Sequence, residues 1–69
     1  MIAVRLKELR REKQSTQKEV SQHTHIAERQ YQYYECGRYK PQYEHLIALA
    51  DYFNVSIDYL VGRSDKKEL

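Results

Sequence analysis

The chain has 69 residues, of which 41% are hydrophobic and 32% are charged. This length allows one small domain, and the composition is typical of a folded soluble protein rather than of a disordered one. Because no apolar run approaches the roughly 20 residues of a membrane helix and no signal peptide is recognisable, we expect a cytoplasmic protein. The single cysteine, Cys36, excludes an intramolecular disulfide.

Positive charge is concentrated in the first part of the chain. Residues 1–41 contain nine lysines and arginines against five acidic residues, a net charge of +4, whereas residues 42–69 contain three against five, a net charge of −2. A surface that neutralises phosphates needs such a local excess of positive charge. An unevenly charged, solvated surface would give the same numbers, so the charge alone leaves both interpretations open.

The first two predicted helices cover residues 2–13 and 17–23. In the first helix the apolar residues recur at helical spacing, and charged residues occupy the other faces. The second helix begins with Thr16 and Glu19 in the arrangement of a capping box. In this arrangement the threonine hydroxyl accepts the Glu19 amide, and the carboxylate accepts the Thr16 amide.

A third helix is predicted over residues 28–36, with Tyr31 and Tyr34 on its inner face. Ile26 precedes this helix and is expected to fix the turn to the core. Gly37 is well placed to end the helix in the left-handed conformation.

Two more helices and a tail follow. The fourth helix is predicted over residues 43–53, with Asn54 as a left-handed cap, and the fifth over 57–61, with Ser56 as its N-cap. Residues 63–69 form a charged tail that we expect to fray. Since no hairpin signal or repeat interrupts the pattern, the sequence predicts an all-α fold, a compact five-helix bundle.

The predicted domain, residues 1–62, contains a helix-turn-helix layout between residues 16 and 37. A short capped helix, a tight turn and a second helix follow each other there. The major groove of DNA is about 12 Å wide and admits one helix, provided that the helix is held from behind while its front stays polar. The predicted front consists of Glu28, Arg29, Gln30, Gln32 and Tyr33.

Several short segments along the chain form one combined pattern. They are Arg5 to Arg10, Thr16-Gln17, Ile26, Glu35-x-Gly37, Lys40-Pro41, Leu46 to Ala50 and Val55 to Gly62. In this order and spacing they resemble the phage repressor and Cro-like (Xre-type) helix-turn-helix family. The resemblance covers nearly the whole chain. It implies a lambda-repressor-like domain of five helices that binds double-stranded operator DNA, usually as a homodimer.

The resemblance also implies base-reading residues, since Glu28, Arg29 and Tyr33 match the family's main reading positions. Arg29 could pair bidentately with guanine, and Glu28 could accept from a cytosine amino group or repel wrong sites. Gln30 and Gln32 could read adenine or contact phosphate, and Tyr33 could contact a thymine methyl or a phosphate. The alternatives are an intrahelical pair for Arg29 and packing on the helix surface for Tyr33. For Gln30 and Gln32 the alternative is ordinary solvation.

Phosphate-contacting residues are implied on both sides of the third helix. Gln17 matches the family's phosphate-contacting glutamine at the start of the second helix, and Lys18 beside it is a possible outlying contact. Arg38 and Lys40 lie in the loop that resembles the family's phosphate-clamping segment. Solvation in the absence of any DNA contact is the alternative for all four.

Several positions depart from the family pattern, and Tyr31 and Tyr34 stand where the family has smaller branched residues. His25 replaces the glycine of the turn and is expected to be left-handed, while Thr24 replaces a core aliphatic residue. Ala27 replaces the Ser or Thr cap, a loss of about 1 kcal/mol. Cys36 replaces an asparagine, and a buried or half-buried thiol is expected there.

Other classes of function have weaker support. The seven tyrosines could stack single-stranded nucleic acid, but their helical spacing favours core positions. No spacing of cysteine and histidine predicts a metal site, nothing indicates a cofactor or a small-molecule substrate, and no nucleophile, base and orienting group indicate an enzyme. A transcriptional repressor is favoured. A protein-binding module, such as an antitoxin or an anti-repressor partner, is the alternative, because fold alone does not prove function.

Overall fold

The computed structural model describes residues 1–68, and these form five helices and no strand. The helices are α1 (Ile2–Lys13), α2 (Gln17–Thr24), α3 (Glu28–Cys36), α4 (Tyr43–Phe53) and α5 (Ile57–Leu60). The predicted all-α fold of five helices is therefore confirmed, and the bounds differ by one residue at the ends of α2 and α5. None of these helices is long and apolar enough to cross a membrane.

Side-chain caps begin two of the helices, as the sequence predicts. At α2 the Thr16 hydroxyl accepts from the Glu19 amide at 3.0 Å, and the Glu19 carboxylate accepts from the Thr16 amide at 2.8 Å. At α5 the Ser56 hydroxyl accepts from the amide of Tyr59 at 3.0 Å. Each cap satisfies backbone donors that the first turn of a helix leaves without an intrahelical partner.

Left-handed residues end the first four helices. Gly37 and Asn54 take up this conformation with φ values of 82° and 57°, as predicted, and His25 does so with φ of 60°. Gln14 ends α1 in the same way with φ of 57°, which the sequence did not indicate. A left-handed residue reverses the chain and lets the following amides reach the last carbonyl groups of the helix.

One hydrophobic core joins all five helices. α1 packs against α3, α4 and α5, and α2 packs against α3 and α4. The largest fully buried side chains are Leu6, Val20, Ile26, Tyr31, Leu49 and Leu60. Because α1 and α2 both pack against α3, the third helix is held from behind by two elements.

The sequence predicts a frayed C-terminal segment, and the structure corrects this prediction. Ser64 and Lys67 form hydrogen bonds with α1 and with the N-cap of α5. Arg5 on α1 donates to the Ser64 carbonyl at 2.6 Å, and the Ser56 amide donates to the Lys67 carbonyl at 2.9 Å. The predicted tail ends at Leu69, which lies outside the described residues. A domain boundary after residue 62 stays a prediction.

Candidate nucleic-acid interface

The back of α3 is anchored in the core. Tyr31 and Tyr34 are buried, and Ile26 in the preceding turn is buried as well. This confirms the predicted inner face of the helix. Two tyrosines and an isoleucine thus fix the rotation of α3 about its axis, and the opposite face is set by the same rotation.

The front of α3 presents three of the five predicted reading residues to solvent. Glu28, Arg29 and Gln32 are exposed, whereas Gln30 and Tyr33 are half-buried. The sequence predicts that all five point away from the protein, and the structure leaves Gln30 and Tyr33 less exposed than the other three. Tyr33 is partly covered by the loop that follows α3, because the ring of Tyr39 in that loop lies against it.

The turn before α3 holds together without the family's glycine and cap. His25 supplies the left-handed residue, and Ala27 stands at the N-cap without a side-chain hydrogen bond. Thr24 is buried, and its hydroxyl donates to the Val20 carbonyl at 2.7 Å, which satisfies the polar atom inside the core. The hydroxyl of Ser21 donates to the Ile26 carbonyl at 2.5 Å and ties the turn to α2.

Glu35, near the end of α3, is the one charged residue with a buried side chain among residues 1–68, at 3% exposure. Its carboxylate accepts from Arg10 Nε at 2.6 Å and Arg10 Nη2 at 3.1 Å, and from Gln17 Nε2 at 3.1 Å. The Tyr31 hydroxyl donates to the same carboxylate. One buried anion therefore connects α1, α2 and α3.

These contacts determine the protonation of the group. Burial alone would raise the pKa of Glu35, but the hydrogen bonds from Arg10, Tyr31 and Gln17 lower that pKa below its ordinary value. Burial and the hydrogen bond to the carboxylate raise the pKa of Tyr31, and the hydrogen bond to Glu35 raises the pKa of Arg10. At neutral pH the carboxylate is ionised and the phenol is a neutral donor.

A second polar contact joins α3 to α4. The Tyr34 hydroxyl lies 2.6 Å from His45 Nδ1, and the two rings are 5.7 Å apart between centroids. The buried phenol thus has its polar atom satisfied, as a tyrosine in a core requires.

An aromatic and cationic cluster lies where α3 meets the loop to α4. The guanidinium carbon of Arg38 is 5.1 Å from the ring centroid of Tyr33 and 5.7 Å from that of Tyr39. The two rings meet edge to face, with centroids 5.3 Å apart and an interplanar angle of 73°. We call these three residues the Tyr33–Arg38–Tyr39 cluster.

Cys36 lies beside this cluster and is exposed, which corrects the prediction of a buried or half-buried thiol. Its Sγ is 3.4 Å from the Tyr33 carbonyl, a contact within the last turn of α3. Cys36 is the last residue of α3, and Gly37 follows it as the left-handed cap.

The model of the family described as "Helix-turn-helix domain" matches residues 3–65. The chain belongs to this Xre-type helix-turn-helix family. It is 34% identical over 65 residues to YobD and 35% identical over 68 residues to YqaE, both named as uncharacterized HTH-type transcriptional regulators of Bacillus subtilis (strain 168). These alignments cover 94% and 97% of the chain but 58% and 59% of the two relatives, so the chain spans about three fifths of their length. No solved structure matches the chain significantly.

In this helix-turn-helix domain, three of the four predicted phosphate-contacting residues are exposed: Lys18, Arg38 and Lys40. Gln17 is half-buried, and its amide nitrogen donates to Glu35. All four flank α3 in the chain, on α2 or in the loop to α4. Their contacts with phosphate stay predictions.

Sequence reasoning missed two groups in the site. Arg10 and Glu35 both lie within segments that resemble the family, but the spacing of residues so far apart does not indicate an ion pair. Tyr39 lies in the loop after α3, and only the fold brings its ring against Tyr33. Among residues 1–68, histidine, cysteine and acidic side chains do not gather in a group that could hold a metal ion.

Proposed function

We propose that this helix-turn-helix chain binds double-stranded DNA sequence-specifically and acts as a transcriptional regulator, with α3 in the major groove. The observation that carries the proposal is the arrangement of α3. Its back is buried through Tyr31 and Tyr34, while Glu28, Arg29 and Gln32 on its front are exposed. The printed names of YobD and YqaE, as HTH-type transcriptional regulators, support the same function.

Base readout is proposed for the front of α3. Arg29 would donate bidentately to O6 and N7 of guanine, and Gln32 would pair with adenine. Glu28 would accept from cytosine or repel other bases at that position. The half-buried Gln30 and Tyr33 would reach only the edge of the groove, as phosphate or thymine-methyl contacts.

Phosphate contacts from Gln17, Lys18, Arg38 and Lys40 would fix the register of α3 on the duplex. Such contacts supply affinity without sequence information. The Glu35 carboxylate restrains the amide nitrogen of Gln17 at 3.1 Å, so this side chain would meet the backbone in one orientation.

We further propose a homodimeric, cytoplasmic repressor that excludes other proteins from its operator by occupying the site. One domain of this size contacts too few base pairs for tight operator binding. Two copies on half-sites one helical turn apart, about 34 Å, would double the contacts and make the operator palindromic.

Selection of bound duplexes from a random pool tests the proposal. We expect an enriched palindrome whose half-site contains a guanine opposite Arg29. A matched selection with the Arg29→Ala variant should lose the preference at that base pair and keep the rest of the motif. Recovery of no duplex above background, or binding that does not weaken with salt, would contradict DNA binding and favour the protein-binding alternative.

A further inference from the structure

The Tyr33–Arg38–Tyr39 cluster holds an arginine in a way that differs from the structural arginines of this chain. Arg5 donates to the Ser64 carbonyl, and Arg10 donates to the Glu35 carboxylate. In the part of the chain that the structure describes, the Arg38 guanidinium is engaged by two tyrosine rings and by no carboxylate or carbonyl group. Its charge is held in place but not neutralised.

The backbone explains how the cluster forms. Gly37 ends α3 with φ of 82°, which turns the chain back over the helix. The Arg38 amide then donates to the Tyr33 carbonyl at 3.0 Å, and the next residue, Tyr39, comes to lie against the Tyr33 ring. The cluster is therefore fixed at its base by the end of the helix.

A cation–π contact uses none of the N–H donors of an arginine. A ring attracts a cation through its face, whereas the N–H donors of a guanidinium point outward in its own plane. A phosphate that approached the edge of the Arg38 guanidinium could therefore accept from its N–H groups, and no existing hydrogen bond of Arg38 would have to break first. Rings on a backbone fixed by Gly37 would also reduce the rotamer freedom that Arg38 loses on binding.

The cluster lies on the proposed reading side of α3. Tyr33 is four residues after Arg29, so the two side chains share one face of the helix. The Arg38 guanidinium lies over the Tyr33 ring and hence stands at the C-terminal end of that face, where the wall of a groove occupied by α3 would run.

We propose that Tyr39 is a positioning residue for DNA binding, which holds the Arg38 guanidinium with its donors directed at a backbone phosphate. The proposal rests on the proposed function and adds a residue to it. Tyr39 acts through Arg38, with Tyr33 as the second ring, and it contributes to affinity without contributing to base preference.

Binding of a fluorescent random-sequence duplex, measured as a function of salt, tests the proposal. Tyr39→Ala is expected to weaken binding about two- to fivefold, the range of an exposed cation–π contact. Tyr39→Phe keeps the ring and should bind like the unchanged protein. Arg38→Ala should flatten the slope of the log binding constant against log salt concentration by about 0.9. The slope of Tyr39→Ala should lie between those of the unchanged protein and Arg38→Ala.

The decisive comparison is Tyr39→Ala in the Arg38→Ala background, where no further loss is expected. An equal loss in both backgrounds, or no loss in either while the unchanged protein binds, would overturn the positioning role and leave the proposed function in place. Failure of the unchanged protein to bind any duplex would overturn both.

Tyr43 provides the matched control. It is 68% exposed and, within residues 1–68, contacts no other ring or cation. Tyr43→Ala should bind like the unchanged protein, and thermal unfolding should show that both tyrosine variants fold. A loss in Tyr43→Ala as large as that in Tyr39→Ala would contradict a specific role for Tyr39.

Discussion

The Glu35 carboxylate accepts two hydrogen bonds from Arg10, at 2.6 Å from Nε and 3.1 Å from Nη2, and this pair joins the first and third helices. Arg10 is partly exposed, whereas Glu35 is buried. Loss of the arginine would therefore leave an ionised carboxylate inside the protein with only neutral donors.

We expect Arg10→Ala to lower the free energy of unfolding by about 3 kcal/mol, since breaking a buried ion pair from one side leaves an uncompensated charge. Urea unfolding followed by circular dichroism measures the change. The neighbouring Arg11 is exposed, so Arg11→Ala is the matched control and should change stability by less than about 0.5 kcal/mol. Equal losses in the two variants would show that the pair contributes nothing specific.

Stability should fall in acid because of Glu35. Its pKa is lowered in the folded protein, so its contribution is complete above the ordinary carboxyl pKa of 4.5 and is lost as the pH falls through the lower folded pKa. Urea midpoints between about pH 2 and pH 7 would show this decline. The Glu35→Gln variant should lose much of the acid dependence, while Glu28→Gln, at an exposed position, should keep it. An unchanged pH profile in Glu35→Gln would refute the assignment.

His25→Gly is expected to stabilise the domain. His25 has φ of 60°, a conformation that costs a residue with a Cβ about 1–2 kcal/mol and costs glycine much less. Glycine also loses more freedom on folding, so we expect a net gain of about 0.5–1 kcal/mol in urea unfolding. The control His23→Gly, inside α2, should instead lower stability by about 1 kcal/mol. A loss in both variants would mean that the imidazole of His25 contributes more than its backbone costs.

Arg29→Ala should separate specific from general DNA binding. Loss of a bidentate guanine contact is expected to cost about 1–3 kcal/mol on the selected duplex and little on random DNA. Lys40→Ala is the comparison, because a phosphate contact should weaken binding equally on both duplexes and flatten the salt slope by about one unit. Titrations of both duplexes measure the two effects. Equal losses for Arg29→Ala on the two duplexes would make Arg29 a phosphate contact.

Features governed by local sequence were predictable, and those that depend on distant contacts were not. The capping box at Thr16 and the left-handed Gly37 follow from a few adjacent residues. The Arg10–Glu35 pair, by contrast, exists only once α1 packs on α3. Tyr33 was expected on the open front of α3 because helical periodicity fixes its direction but carries no information about the loop that returns over it.

Tertiary contacts also explain why the segment after Gly62 is held more firmly than the sequence predicts. Residues 63–69 read as a charged tail because most of them are polar, and such segments fray when nothing binds them. In the folded chain Arg5 on α1 donates to the Ser64 carbonyl, and its guanidinium carbon lies 4.0 Å from the centroid of the Tyr59 ring. Sequence periodicity did not identify Arg5 as the partner, because this residue lies on a charged face of the first helix.

The hydrogen bonds from Ser64 and Lys67 back to the helical domain determine where the protein can be cut or fused. Shortening the chain after Gly62 would remove the Lys67 carbonyl that the Ser56 amide uses at 2.9 Å and the Ser64 carbonyl that Arg5 uses at 2.6 Å. The Ser56 amide and the Arg5 guanidinium would then have to form their hydrogen bonds with water instead. Expression boundaries and fusion joints are therefore better placed beyond Lys67 than at the glycine.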